Sequence, residues 1–121
     1  MARSDPRRSL GAAGEETVAA WYRARGYDIV DRNWRCREGE LDLVVARSGV
    51  VVFCEVKTRR TLRFGAPFEA VTAAKQRRLR GLAARWLAEH PHPRCSVRFD
   101  VASVYARDGE DRRVEVLELA F

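Results

Sequence analysis

A chain of 121 residues that is 46% hydrophobic can bury one core without disulfide or metal staples, so a single globular domain is expected. Cys36, Cys54 and Cys95 are odd in number and lack C-x-x-C spacing, which argues against a disulfide framework and a zinc site. A formal net charge of +6 and a pI near 9.9 point to a polyanionic partner, although composition alone does not separate a nucleic-acid binder from a basic protein without such a ligand. No apolar run is long enough to span a bilayer and the amino terminus has no apolar leader core, so no membrane contact and a cytoplasmic location are expected.

Residues 1–8 are basic and polar and include Pro6, the composition of a disordered tail, which leaves 9–121 as the folded domain. From Ser9 the pattern turns helical, with Leu10, Gly14, Val18, Trp21, Tyr22 and Arg25 on one stripe. On a helical wheel Glu15 lies about 60° from Val18 and Glu16 about 160° away, so Glu15 borders the buried face and Glu16 faces solvent. By spacing alone Glu15 reads equally as a first-turn acid favoured by the helix dipole and as a side chain delivered to a site. Gly26 is placed to end this helix, and Tyr27 to Asp31 reads as a first strand. Asn33 to Glu38 reads as a connection in which Trp34 could stack on a base, although a ring so close to a strand suits the core better.

Gly39-Glu40-Leu41-Asp42-Leu43-Val44-Val45 and Val51-Val52-Phe53-Cys54-Glu55-Val56-Lys57 then form a predicted hairpin about Arg47-Ser48-Gly49. Alternation puts Glu40 and Asp42 on one face of the first strand, and Glu55 and Lys57 on one face of the second. Asp42 and Glu55 are at similar distances from the turn and can stand opposite or diagonal to one another. Two such carboxylates at the rim of an apolar sheet repel and lose hydration unless a cation neutralises them. Oxygen donors suit Mg²⁺ or Mn²⁺, which also accept phosphate oxygens, and Lys57 would reach the same space to orient a water or stabilise developing charge. Glu40 reads either as a second-shell or metal-linked acid or as a cap on the sheet edge. Lys57 and Lys75 are the only lysines in a chain that otherwise uses arginine, which suits a need for a compact ammonium at position 57.

Arg59, Arg60 and Arg63 follow in a glycine-bearing loop that leaves the same edge and reads either as a grip on flanking phosphates or as solvated surface. Pro67 fits the first turn of a second helix running to Glu89, with Val71, Ala74, Leu79, Leu82, Ala83 and Trp86 as its apolar stripe. Charge runs on helices are usually solvated, but this one starts close to the carboxylates, so Lys75 and Arg78 are the expected phosphate contacts. His90 and His92 flank Pro91 in a loop and lack metal-ligand spacing. Val97 to Tyr105 and Val114 to Leu119 read as strands around a turn at 107–111, with Asp100 and Arg98 as a structural ion pair or a sheet-edge group. The order αβββαββ predicts an α/β (α+β) fold, a mixed five-stranded sheet flanked by helices.

The residues also carry a resemblance. Asp42 and Glu55-Val56-Lys57 resemble the D…(D/E)-x-K signature of the PD-(D/E)xK nuclease superfamily. With Gly14-Glu15, Gly26-Tyr27, Asn33, Gly39-Glu40-Leu41-Asp42-Leu43, Thr58-Arg59, Phe64-Gly65, Glu69-Ala70-Val71, Lys75 and Arg98-Phe99-Asp100-Val101, the chain is identified as a member of the YraN-like family from about Gly14 to about Val104. Leu41 stands where the superfamily often has proline. The resemblance implies a restriction-endonuclease-like core, kinship with archaeal Holliday-junction resolvases, and a role for Glu15, which matches their helix-one glutamate. It implies a metal-dependent endonuclease with Asp42, Glu55 and the Val56 carbonyl on Mg²⁺ or Mn²⁺, and Lys57 and Glu15 completing the site. The implied substrate is DNA rather than RNA, branched or junction DNA in particular, cut by a homodimer. The competing expectations are a non-catalytic nucleic-acid-binding or adaptor protein on the same fold, and a structural partner that docks through Leu117 to Phe121.

Overall fold

The computed structural model describes residues 6–59, 71–91, 94–105, 113–118 and 121, with backbone alone for 6–12 and 59. Helix α1 (Pro6–Arg23) is followed by strands β1 (Asp28–Cys36), β2 (Gly39–Arg47) and β3 (Val50–Arg59), helix α2 (Ala73–Glu89), and strands β4 (Ser96–Tyr105) and β5 (Arg113–Leu117). The five strands form one sheet in the order β1-β2-β3-β4-β5. Only β3 and β4 are parallel, so the connection between them must cross the sheet, and α2 lies in that crossover.

The β2–β3 turn has Ser48 at φ 47° and Gly49 at φ 78°, two left-handed residues whose twist matches the flanking strands, as a two-residue hairpin requires. The α1 terminus is closed by Gly26 at φ 85°, with Tyr27 N–H donating to the Tyr22 carbonyl at 3.1 Å. Helix α2 starts on Thr72, whose hydroxyl accepts from Lys75 N–H at 3.2 Å.

The apolar run of β3 is buried on both sides, as a strand covered by two helices must be. Val52 and Cys54 face α1, where they join Val18, Ala19, Tyr22, Leu43, Val45 and Ala102. Val51 and Phe53 face α2, where they join Leu82, Ala83 and Trp86 with Leu41 and Val44. Cys54 is the buried apolar thiol its neighbours suggest, and burial pushes it far above the ordinary thiol range.

Several boundaries differ from the expected ones, among them the end of β3, which takes in Thr58 and Arg59 of the expected loop. Strand β1 continues through the segment read as a connection, because Trp34 packs in the α2-side core and the ladder runs on through Trp34↔Leu41 to Cys36↔Gly39. Helix α1 includes Pro6 to Arg8, three residues of the expected tail, whose remainder lies outside the described residues. Val71 and Thr72 are not helical, so α2 starts at its Thr72 cap; Pro67 lies outside the described residues. The expected turn at 107–111 also lies outside them. Phe121, expected on a docking tail, stacks on Phe99 of its own chain with ring centroids 4.9 Å apart.

Candidate active site at a fork in the sheet

The paired register of β2 and β3 runs from Arg47↔Val50 to Leu43↔Cys54 and stops there. Beyond that pair β2 stays with β1 as far as Gly39, while β3 stays with β4 as far as Arg59. The sheet therefore forks, and Asp42 and Glu55 are the first residues past the last pair. A strand that loses its neighbour exposes backbone donors that need another acceptor. Asp42 supplies it: its Oδ2 accepts from Val56 N–H at 2.9 Å.

A second irregularity turns the acids toward one another. Leu41 belongs to the α2-side core and Leu43 to the α1-side core, although strict alternation would put both on one face. Strand β1 breaks at the same level, for Arg32 reaches Glu16 on α1 at 2.7 Å whereas Trp34 packs on the α2 side. Between them Asn33 is left-handed at φ 51°, a conformation asparagine tolerates better than most residues. Its side chain acts on the carboxyl of Glu15, lowering it against the effect of burial. On α1, Gly14 is buried against β3, and a methyl group there would overlap the Thr58 hydroxyl. This close approach delivers Glu15, the next residue, to the fork.

Carboxylate oxygens of Glu15, Glu40 and Asp42 consequently lie within 4.8 Å of one another. Burial raises the Asp42 carboxyl to about 6; the Val56 amide opposes the shift and the charges of Glu15, Glu55 and Glu40 add to it. Burial also raises Glu15, against the Asn33 side chain. Glu55 faces a different environment. Its Oε1 lies 3.2 Å from Lys75 Nζ and 4.0 Å from Lys57 Nζ, while its buried Oε2 has no hydrogen-bond partner among the described residues. The Glu55 carboxylate 3.2 Å away holds the Lys75 ammonium above its ordinary range.

The donor set suits a hard divalent cation. Three convergent carboxylates and a buried orphan carboxylate oxygen are oxygen ligands short of positive charge, the deficit Mg²⁺ or Mn²⁺ would fill. Glu40, read as a second-shell or metal-linked acid or a sheet-edge cap, stands beside Glu15 and Asp42, and the amide of Val56 donates to Asp42.

Asp42, Glu55, Lys75 and Arg78 share a cleft of about 250 Å³. Arg60 and Arg63 lie outside the described residues, as does the side chain of Arg59, whose backbone pairs with Tyr105. Asp100 is the expected structural ion pair: Arg98 donates to it twice at 2.9 Å and Tyr22 once at 2.7 Å. Two neighbours of the site escaped its sequence reading. Asn33 stood in what looked like a connection. Ser103, the Cα partner of Lys57 across β3 and β4, has a buried hydroxyl with no partner among the described residues, and a lone serine in a strand gives no warning of that.

The fold and site define an α+β protein in which two helices enclose a forked mixed sheet with acids in the fork. The chain belongs to the family described as "Uncharacterised protein family UPF0102", which matches residues 14–104 and is the YraN-like family expected from the motifs. It is 56% identical over 113 residues to the UPF0102 protein FRAAL5785 of Frankia alni, covering 93% of this chain and 94% of that one. A UPF0102 protein of Nocardia farcinica is 48% identical over 121 residues, covering 100% and 95%. That of Clavibacter michiganensis subsp. michiganensis is 51% identical over 111 residues, covering 92% and 94%. Among the described residues no helix is long and apolar enough to cross a membrane.

Proposed function

We propose that the protein is a metal-dependent nuclease that hydrolyses phosphodiester bonds in DNA, with the fork as its active site. The observation that carries the reading is the convergence of Glu15, Glu40 and Asp42 within 4.8 Å, beside a glutamate shared by two lysines. Asp42, Glu15, Glu40 and the free oxygen of Glu55 would hold Mg²⁺ or Mn²⁺. When bound, the ion supplies Lewis-acid polarisation of a phosphoryl oxygen and neutralises charge on the leaving oxygen. Lys75 and Arg78 bind the phosphate from the α2 side, so that the scissile group is fixed before it reacts. Lys57 orients the water whose oxygen forms the new P–O bond as the ester P–O bond breaks. The D…(D/E)-x-K resemblance of Asp42 and Glu55-Val56-Lys57 supports the same reading and extends it, by analogy of fold, to branched DNA, a homodimer and a cytoplasmic setting.

The test is cleavage of labelled single-stranded, duplex, flap and four-way-junction DNA, and of RNA, with Mg²⁺ or Mn²⁺. Metal-dependent cutting by the wild type that Asp42→Ala and Lys57→Ala both lose is the expected result. Binding without cutting, or equal cutting by the variants, overturns it in favour of a non-catalytic nucleic-acid-binding protein.

A further inference from the structure

The cleft at the fork has more wall than phosphodiester hydrolysis needs. Its ionic end is Asp42, Glu55, Lys75 and Arg78, but Phe53, Leu79, Leu82 and Phe99 line it as well. A phosphate and a cation draw nothing from an apolar wall. A nucleobase does, since an unstacked base needs an apolar surface for its faces while its phosphate stays among charges. The wall is also preformed. Phe99 stacks between Phe53 and Phe121, at centroid distances of 5.7 and 4.9 Å, and Trp86 sets its edge on Phe53 at 5.6 Å. A volume of about 250 Å³ suits one planar heterocycle and does not admit a base pair with its two backbones.

A second hollow continues the path. Arg78 and Leu82 are common to the cleft and to a hollow of about 360 Å³ lined also by Arg77, Gly81, Arg85 and Glu38. Gly81 sits in the middle of α2 and is exposed, and nothing among the described residues lies within 4 Å of where its Cβ would be. Glycine costs an exposed helix interior about 1 kcal/mol against alanine, and no packing among the described residues accounts for it. Close approach of a ligand backbone does.

We propose that the cleft receives one unpaired nucleobase, with the neighbouring phosphates of the same strand running over Gly81 between Arg77 and Arg78. The substrate class is therefore a strand that is single, or unpaired at the nucleotide beside the reacting phosphate. Branched DNA qualifies where its branch point frees such a nucleotide. The inference rests on the nuclease reading for the phosphate's place at the fork, and it makes its own claim about binding.

The test is fluorescence anisotropy with Asp42→Asn in Mg²⁺, which keeps the strand intact, using a labelled twelve-nucleotide strand as DNA or RNA and the blunt DNA duplex of the same sequence. The single strand is expected to bind at least about tenfold tighter than the duplex, within what one stacked base contributes. Adding Leu79→Trp, which fills the cleft, should remove about tenfold of that affinity while the melting temperature is retained. Adding Gly81→Gln should weaken the single strand as the melting temperature rises. Equal or tighter duplex binding, no measurable binding of either, or a Leu79→Trp variant that binds the single strand unchanged overturns the proposal. Metal-dependent cutting of single strand and duplex alike would leave the nuclease standing and sink the base cleft. Single-strand preference with Leu79 dependence but no cutting would do the reverse.

Discussion

Two aspartates of one sheet, Asp100 buried and Asp42 half-buried, have opposite surroundings. Asp100 on β4 is fully enclosed and fully compensated, with a two-pronged bond from Arg98 and a third from Tyr22. Asp42 on β2 receives one amide and otherwise meets Glu15, Glu40 and Glu55. Burying a charge is tolerated where partners repay its lost hydration. At Asp100 the partners belong to the chain, and the result ties α1 to β4. At Asp42 the partners among the described residues are one amide and further acids, the surroundings to which the proposed function assigns a divalent cation.

Removing one partner from the compensated site should produce the largest effect. Asp100→Asn leaves Arg98 half-paired in the interior, and a loss of about 3–5 kcal/mol in urea unfolding is expected. An unchanged midpoint would mean that the ion pair is not structural.

The uncompensated site should respond in the opposite direction. The Asp42 carboxyl stands at about 6 against an ordinary 3.8, so the folded state binds its proton more readily than the unfolded state does. Ionised Asp42 therefore destabilises the metal-free protein above pH 6, and the penalty fades as pH falls through 6 towards 3.8. Asp42→Asn is expected to stabilise the metal-free protein at pH 7.5 by at most roughly 3 kcal/mol, the equivalent of that difference. The gain should disappear below pH 4. Mg²⁺ should raise the melting temperature of the wild type at pH 7.5, much less so below pH 6, and scarcely at all in Asp42→Asn. Thermal scans across pH with and without the ion check all three, and a variant less stable than the wild type at pH 7.5 would refute the reading of an uncompensated acid.

The smallest effect marks the boundary of the site. Glu16 lies beside Glu15 on α1 but is exposed, and its pairs with Arg23 and Arg32 hold its carboxyl below the ordinary range. Glu16→Gln is expected to leave both melting temperature and Mg²⁺ response unchanged. Loss of the Mg²⁺ response in this variant would move the site's edge outward.

The element order αβββαββ, the Ser48-Gly49 turn and the difference between Glu15 and Glu16 follow from composition and period alone. Those signals are local: alternation, helical spacing and a turn residue act within a few positions of the chain. The pairing of Arg98 with Asp100 is local too. The sequence also names Asp42, Glu55 and Lys75 as groups that could meet. It could not show that β2 and β3 part after Leu43 and Cys54, nor that β1 and β2 break step together at Asn33, because ladder length and register depend on what the neighbouring strands and both helices bury. Those two irregularities, with the tight contact of Gly14 on Thr58, bring Glu40 in beside Asp42 and Glu15, leave Glu55 with the lysines of β3 and α2, and open the apolar side of the cleft.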